Sequence, residues 1–261
     1  MGKERLAKVF AQKNKDILSI YLSAGYPKLD AMPKLADVLA KNKVDFIEAG
    51  MPYSDPLADG PTIQKSSSIA LKNGMNLDLY FDQIKLIRQQ SDIPIIFMGY
   101  FNQVLKTGVD TFLQKCVDSG IDGLIIPDLT PEIYQATYQT MFEKNDLAMI
   151  FLVTPTTSTE RIKLIDQLSS GFIYVVSSSS TTGNTKGFGE KEEDYFKQIR
   201  ILNLNNPTVI GFGIDSPEKF ALANQFADGV IIGSAFINAL QTDDYFKAAS
   251  DFVKLIKGHQ N

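Results

Sequence analysis

The strongest constraint on the fold of this chain is a regular alternation of short apolar runs with longer amphipathic segments. Each run has the length of a buried parallel strand and is rich in Val, Ile, Leu or Phe. The eight runs cover residues 17–22, 44–49, 94–98, 123–127, 148–153, 172–176, 208–211 and 229–232. The segments between them have helical spacing, as in Met32, Leu35, Ala36 and Leu39. Eight strand–helix units predict an α/β fold that closes into a (β/α)8 TIM barrel.

The length of 261 residues is usual for one such barrel. A doubly wound open sheet is the alternative for the same pattern. An amphipathic segment over residues 4–13 precedes the first run and predicts an extra N-terminal helix that plugs the barrel floor. The chain has no low-complexity linker and no break in composition, so residues 1–261 are expected to form a single domain.

Composition narrows the classes of function. The net charge is −4 and no Lys/Arg stripe is present, which argues against nucleic acid or an anionic membrane as partner. The single cysteine, Cys116, cannot form an intramolecular disulfide, and no run of eighteen apolar residues occurs, so a soluble cytoplasmic enzyme is expected. The only histidine, His259, lies near the C-terminus, which argues against histidine catalysis and Cys/His metal sites.

A group of carboxylates follows the second apolar run. Glu48 interrupts that run, and side-chain alternation directs Glu48 into the barrel mouth if Ile47 points outward. A desolvated carboxyl group there has a raised pKa and can move protons near neutral pH. Asp55 and Asp59 follow on a loop stiffened by prolines. The alternatives are a salt-bridged core glutamate with turn-forming aspartates, or a carboxylate-bound metal.

Three glycine-bearing loops follow the last three runs, at residues 177–189, 211–217 and 231–235. Glycine lets backbone N–H groups approach a phosphate, and Gly233-Ser234 lies where a helix N-terminus follows a strand. Barrels often bind phosphate with the loops after strands 7 and 8. The three loops together therefore predict a phosphate site, with ordinary turn glycines as the alternative. The first loop also has the composition of a lid.

These motifs resemble those of the tryptophan synthase alpha subunit family along almost the whole chain. The residues that carry the resemblance are YLSAGYP at 21–27, EAGMPYSDPLADGPTIQ at 48–64, PDL at 127–129, TG at 182–183, GFGI at 211–214 and GSA at 233–235. The resemblance implies a metal-free lyase that splits indole-3-glycerol phosphate into indole and glyceraldehyde 3-phosphate by a retro-aldol step. It also implies that this chain has no cofactor.

The resemblance assigns roles to individual residues. Glu48 would protonate C3 of the indole ring and take the proton of the glycerol hydroxyl, and Asp59 would accept a hydrogen bond from the indole N–H. The remaining implied roles are phosphate binding by Gly183, Gly213, Gly233 and Ser234, an indole pocket of Tyr21, Tyr100, Tyr174 and Phe212, and loop or lid support by Asp55 and Thr182. Ordinary core packing is the alternative for Tyr21 and Tyr100.

The resemblance further implies an alpha2beta2 complex with a beta subunit that holds pyridoxal phosphate and makes tryptophan from indole and serine. The chain departs from the family pattern at the lid, with Ser178, Ser180 and Thr181, and after the third strand, where the usual Asn-Pro reads Asn102-Gln103. Two alternatives stay open: another metal-free, phosphate-binding barrel lyase or isomerase, and a non-catalytic barrel that acts as an allosteric subunit. A Schiff-base aldolase is disfavoured because no predicted strand ends in lysine.

Overall fold

The computed structural model describes residues 2–177 and 188–258. All strand pairs within these ranges are parallel. The strands are β1 (Ile17–Ser23), β2 (Phe46–Gly50), β3 (Ile95–Met98), β4 (Gly123–Ile125), β5 (Ala148–Ile150), β6 (Leu152–Val153), β7 (Ile173–Val176), β8 (Thr208–Gly211) and β9 (Gly229–Ile232). Their order in the sheet is β5-β4-β3-β2-β1-β9-β8-β7-β6.

The two ends of this sheet meet in one stretch of chain, which closes the barrel. β5 pairs with β4 and β6 pairs with β7, and only Phe151 separates β5 from β6. The Phe151 carbonyl accepts a hydrogen bond from the Tyr174 amide at 3.0 Å, so pairing continues across the gap. The predicted run 148–153 is therefore one barrel strand in two segments. The (β/α)8 barrel is confirmed, and the open-sheet alternative is wrong.

Helices follow the strands around the barrel. They are α1 (Gly2–Gln12), α2 (Ala31–Lys41), α3 (Pro61–Lys72), α4 (Leu77–Gln90), α5 (Phe101–Thr107), α6 (Val109–Ser119), α7 (Pro131–Ile133), α8 (Gln139–Lys144), α9 (Thr159–Leu168), α10 (Glu190–Ile201), α11 (Pro217–Ala223), α12 (Ser234–Ala239) and α13 (Tyr245–Ile256). A π-helical segment, Tyr134–Tyr138, joins α7 to α8. None of the helices in the described ranges is long and apolar enough to span a membrane.

Local sequence sets where several helices begin and end. Asn76 caps α4, because its side chain accepts hydrogen bonds from the Asp78 and Leu79 amides, both at 3.1 Å. Gly120 ends α6 in the left-handed conformation, with φ of 88°. Glycine adopts this conformation without the steric cost that other residues incur. These two helix ends therefore follow from the residues that the sequence places there.

The apolar core has two parts, which the alternation of side chains along the strands separates. Phe46 points into the barrel, where its ring centroid lies 5.3 Å from that of Phe172. Ile47 belongs to the outer layer between strands and helices. Leu6 of α1 is fully buried against the inner cluster, so α1 closes the barrel floor as predicted. Apolar side chains of α1 and the strands thus fill the floor, and the accessible end of the barrel is the carboxyl end of the strands.

Candidate active site

Glu48 lies in the barrel mouth, on the inner face of β2. It neighbours Tyr21 of β1 in register, and its side chain is 1% exposed. One carboxyl oxygen, Oε1, has no hydrogen-bond partner among the described residues, and Glu48 forms no salt bridge with any of them. Burial, and then the nearby charge of Asp59, raise the pKa of Glu48 to about 8. A carboxyl group in this state holds its proton at neutral pH and can exchange it with a substrate.

Asp59 lies on the loop after β2, half-buried beside Tyr100. The Tyr100 hydroxyl donates a hydrogen bond to Asp59 Oδ2 at 3.1 Å and accepts one from the Ala58 amide at 3.1 Å. Burial raises the pKa of Asp59, and the hydrogen bond from Tyr100 opposes that shift. The loop is also fixed by the Gln64 side chain, which donates to the Asp59 carbonyl at 2.8 Å.

Two buried tyrosines flank the carboxylates from opposite sides of the mouth. The Tyr21 ring lies over Gly50, where an added Cβ would be 2.1 Å from the tyrosine hydroxyl. The Tyr174 ring lies over Gly211 in the same way, at 2.0 Å. Burial and the charges of Glu48 and Asp59 raise the pKa of both hydroxyls. Gly50 and Gly211 must therefore be glycines, because any larger side chain would clash with the tyrosine ring above it.

The predicted phosphate residues in the described ranges follow neighbouring strands. Gly213 follows β8 with φ of 70°, and its Cα lies beside Ser177. Gly233 follows β9, directly before Ser234, the exposed first residue of α12. An added Cβ on Gly233 would lie 3.6 Å from Tyr21 Cβ, so Tyr21 stands between the carboxylates and this strand end. Phe212 packs edge-on against Tyr174, with ring centroids 6.1 Å apart.

The structure does not bring every predicted residue into this group. Asp55 is exposed on the loop after β2. Thr182 and Gly183, predicted for the lid and the phosphate site, lie outside the described residues. The described part of the chain contains no cluster of three or more metal-ligating side chains.

Sequence reasoning missed the residues that hold the Asp59 loop. Tyr53 stacks on Tyr100 with ring centroids 5.0 Å apart, and Asn102 donates to the Tyr53 hydroxyl at 3.0 Å. Gln103 donates to the Pro52 carbonyl at 3.1 Å. The available signal was the glutamine three residues after a helix N-cap, half of a capping box. The sequence does not show a usual capping box here, because the N-cap residue is Tyr100 and not Ser or Thr.

The fold and the site define a class of protein. The chain is an α/β-barrel enzyme whose carboxylates, tyrosines and strand-end glycines meet at the carboxyl end of the strands. A buried, proton-holding glutamate beside a second, more polar carboxylate is an arrangement for acid–base chemistry.

Comparison with known proteins identifies the family within this class. The model of the family described as tryptophan synthase alpha chain matches residues 7–260. The tryptophan synthase alpha chain of Flavobacterium psychrophilum is 54% identical over 245 residues, covering 94% of this chain and 96% of that protein. That of Christiangramia forsetii is 53% identical over 246 residues, covering 94% and 96%.

Solved structures agree with the sequence comparison. The crystal structure of tryptophan synthase subunit alpha from Legionella pneumophila matches with a TM-score of 0.88 and 32% identity, covering 99% of this chain and 98% of that one. The chain belongs to the tryptophan synthase alpha chain family. It is therefore a lyase of tryptophan biosynthesis.

Proposed function

We propose that the chain cleaves indole-3-glycerol phosphate to indole and glyceraldehyde 3-phosphate, with Glu48 and Asp59 as its catalytic residues. The observation that supports this most directly is the state of Glu48, a fully buried carboxyl group with one unpartnered oxygen and a pKa raised to about 8. A structural glutamate at this depth would need a cation or donors around both oxygens.

The proton of Glu48 starts the reaction. Transfer of this proton to C3 of the indole ring places positive charge on the ring nitrogen. The bond between C3 and the glycerol carbon then breaks, and its electron pair restores the aromatic ring. The hydroxyl group on that carbon gives its proton to the Glu48 carboxylate and becomes the aldehyde. Glu48 ends protonated, as it began, so one residue serves as acid and then as base.

Asp59 stabilises the charge that develops on the ring. Its carboxylate accepts the hydrogen bond of the indole N–H, which becomes more acidic as C3 is protonated. The Tyr100 hydroxyl fixes Asp59 Oδ2 at 3.1 Å and leaves Oδ1 for the substrate. In this mechanism Asp59 is the charged carboxylate and Glu48 the protonated one, and the hydrogen bond from Tyr100 opposes the effect of burial on the pKa of Asp59.

The rest of the mouth binds the two ends of the substrate. Tyr21, Tyr100, Tyr174 and Phe212 supply aromatic surface for the indole ring. Backbone N–H groups at Gly213, Gly233 and Ser234, together with Gly183 outside the described residues, bind the phosphate. Asp55 and Thr182 support the loop and the lid in this proposal.

We further propose a pyridoxal-phosphate beta subunit as partner, in an alpha2beta2 assembly that works in the cytoplasm. This chain, residues 1–261, acts as one domain without a cofactor of its own. Exposed apolar side chains follow three consecutive barrel strands at the mouth, with Leu57 84% exposed and Leu105 and Ile133 about half exposed. A groove of about 620 Å³ is lined by residues of the Asp59 loop, of the start of α4 and of α5. Apolar side chains in such a position suit a protein partner.

The test is release of indole from indole-3-glycerol phosphate by the purified chain, alone and with a beta subunit and serine. The proposal expects slow release alone and a strong rise with the partner. A folded chain that releases no indole in either condition would show that it acts on another phosphate ester or serves only as a regulatory subunit.

A further inference from the structure

The loop that carries Asp59, residues 51–60, is held at its start by the end of β3 and at its far end by Tyr100, the N-cap of α5. At its start, the Met51 amide donates to the Met98 carbonyl at 2.8 Å. At its far end, the Ala58 amide and the Asp59 carboxylate both bond the Tyr100 hydroxyl. The orientation of Asp59 therefore depends on where the backbone of Tyr100 lies.

Gln103 joins these two ends through a single side chain. Its Oε1 accepts a hydrogen bond from the Tyr100 amide at 3.1 Å, and its Nε2 donates to the Pro52 carbonyl at 3.1 Å. The carboxamide lies against Gly99, where an added Cβ would be 2.8 Å from Oε1. The Gln103 amide group thus donates to the loop through Nε2 and accepts from the start of α5 through Oε1.

The two contacts have different consequences. The bond to the Tyr100 amide satisfies a helix N-terminal donor, which stabilises α5 itself. The bond to the Pro52 carbonyl adds nothing to the helix but fixes the loop relative to it. Pro52 has no N–H with which to anchor itself, so its carbonyl is the group through which this part of the backbone can be held.

We propose that Gln103 is a positioning residue that orders the loop and thereby fixes Asp59 for the reaction. Gln103 does not touch the substrate. It acts through Pro52 at one end of the loop and through Tyr100 at the other. This role rests on the function proposed for Asp59, and it assigns the ordering of the catalytic loop to the chain itself, before any partner binds.

Replacement of Gln103 by glutamate separates the two contacts. Gln103→Glu keeps an oxygen for the Tyr100 amide but replaces the donor to the Pro52 carbonyl with a second oxygen. Gln103→Leu removes both contacts. Gln114→Leu, on the exposed face of α6, is the matched control for loss of a glutamine side chain, since Gln114 donates to Asp118 on the same helix.

The measurements are kcat and KM for indole release, thermal unfolding, and hydrogen exchange of the Ala58 amide. For Gln103→Glu we expect kcat to fall about tenfold, KM to stay within about twofold, and Ala58 exchange to speed up about tenfold. Thermal unfolding should match the wild-type chain for Gln103→Glu and fall for Gln103→Leu. Gln114→Leu should keep the wild-type kcat and the wild-type Ala58 exchange.

Wild-type values of kcat and Ala58 exchange in Gln103→Glu would overturn the proposal, as would faster exchange with unchanged kcat. If the wild-type chain releases no indole, the proposed function fails on its own. The exchange of Ala58 then still decides whether Gln103 orders the loop.

Discussion

At the scale of single residues, the central feature of the site is the Glu48 carboxyl group, which is buried where a charged carboxylate is disfavoured. Glu48 is buried, with an oxygen that accepts no hydrogen bond from a described residue, and its pKa is raised to about 8. The unfolded chain has no such burial, so its carboxyl group titrates near the ordinary value of 4.5. Between these values the folded state holds a proton that the unfolded state has released.

This difference predicts how stability depends on pH. Because the folded chain binds more protons between about pH 4.5 and 8, the free energy of unfolding decreases as pH rises through that window. The contribution of Glu48 amounts to about 1.4 kcal/mol for each pH unit. Glu48→Gln removes this contribution. The free energy of unfolding should therefore fall less in the variant than in the wild type between pH 5 and pH 8. Urea unfolding of both proteins at several pH values measures the difference.

Comparison with Glu48→Gln isolates the effect of Glu48 together with its electrostatic coupling to Asp59, whose pKa is also raised by burial. Parallel stability curves for the two proteins between pH 5 and 8 would show that Glu48 has an ordinary pKa in the folded chain.

At the scale of secondary-structure elements, a buried ion cluster at the floor ties α1 and α4 to the sheet. Asp122, just before β4, accepts hydrogen bonds from Arg5 Nε at 2.7 Å, Arg88 Nη2 at 2.9 Å and the Ile95 amide at 2.8 Å. Burial raises the pKa of Asp122 to about 6, against the opposing effect of Arg88. One carboxylate thus connects the plug helix, an outer helix and two strands.

Loss of this carboxylate should destabilise the floor. Asp122→Asn leaves two guanidinium groups without their counter-charge, which costs about 3 kcal/mol or more in the free energy of unfolding. Asp82→Asn is the control, because Asp82 pairs with Lys85 at 4.0 Å on an exposed surface and its loss should cost under about 1 kcal/mol. Urea unfolding measures both losses. Equal losses in the two variants would mean that the Asp122 cluster stabilises the fold no more than a surface ion pair does.

The elements also show what a sequence can and cannot specify. The strands were predicted within two residues of most ends, because a strand covered by helices must be apolar throughout. The division of the fifth predicted strand at Phe151 was not predicted, since it depends on which neighbour each segment pairs with. Glu48 was placed correctly in the mouth by alternation. The loop contacts of Tyr53, Asn102 and Gln103 were missed, because they join segments about fifty residues apart in sequence.

At the scale of the whole molecule, the two ends of the barrel differ in what they expose. Leu105, 50% exposed, lies on α5 directly after β3, on the side of the mouth. Ile201, 74% exposed, is the last residue of α10 and lies towards the floor, since the helices run opposite to the strands. A groove of about 620 Å³ lies beside the catalytic loop on the mouth side, and one of about 230 Å³ lies beside Arg200 on the floor side.

This asymmetry predicts where the beta subunit binds. Leu105→Glu should weaken stimulation of indole release by the beta subunit, with the apparent affinity for it about tenfold lower. Release without the partner should stay within about twofold, since this exposed side chain faces away from the core. Ile201→Glu should behave as the wild type in both conditions. A titration with the beta subunit in which Ile201→Glu has the larger effect would place the partner on the floor.

The central claim is that Glu48 protonates C3 of indole during a retro-aldol cleavage. It is tested most directly by running the reaction in D2O with the wild-type chain and with Glu48→Gln, and by analysing the products by mass spectrometry. We predict equal amounts of indole and glyceraldehyde 3-phosphate from the wild type, with one deuterium at C3 of the indole, and no products above background from the variant. Indole without deuterium, or product formation by Glu48→Gln at a rate close to that of the wild type, would contradict the claim.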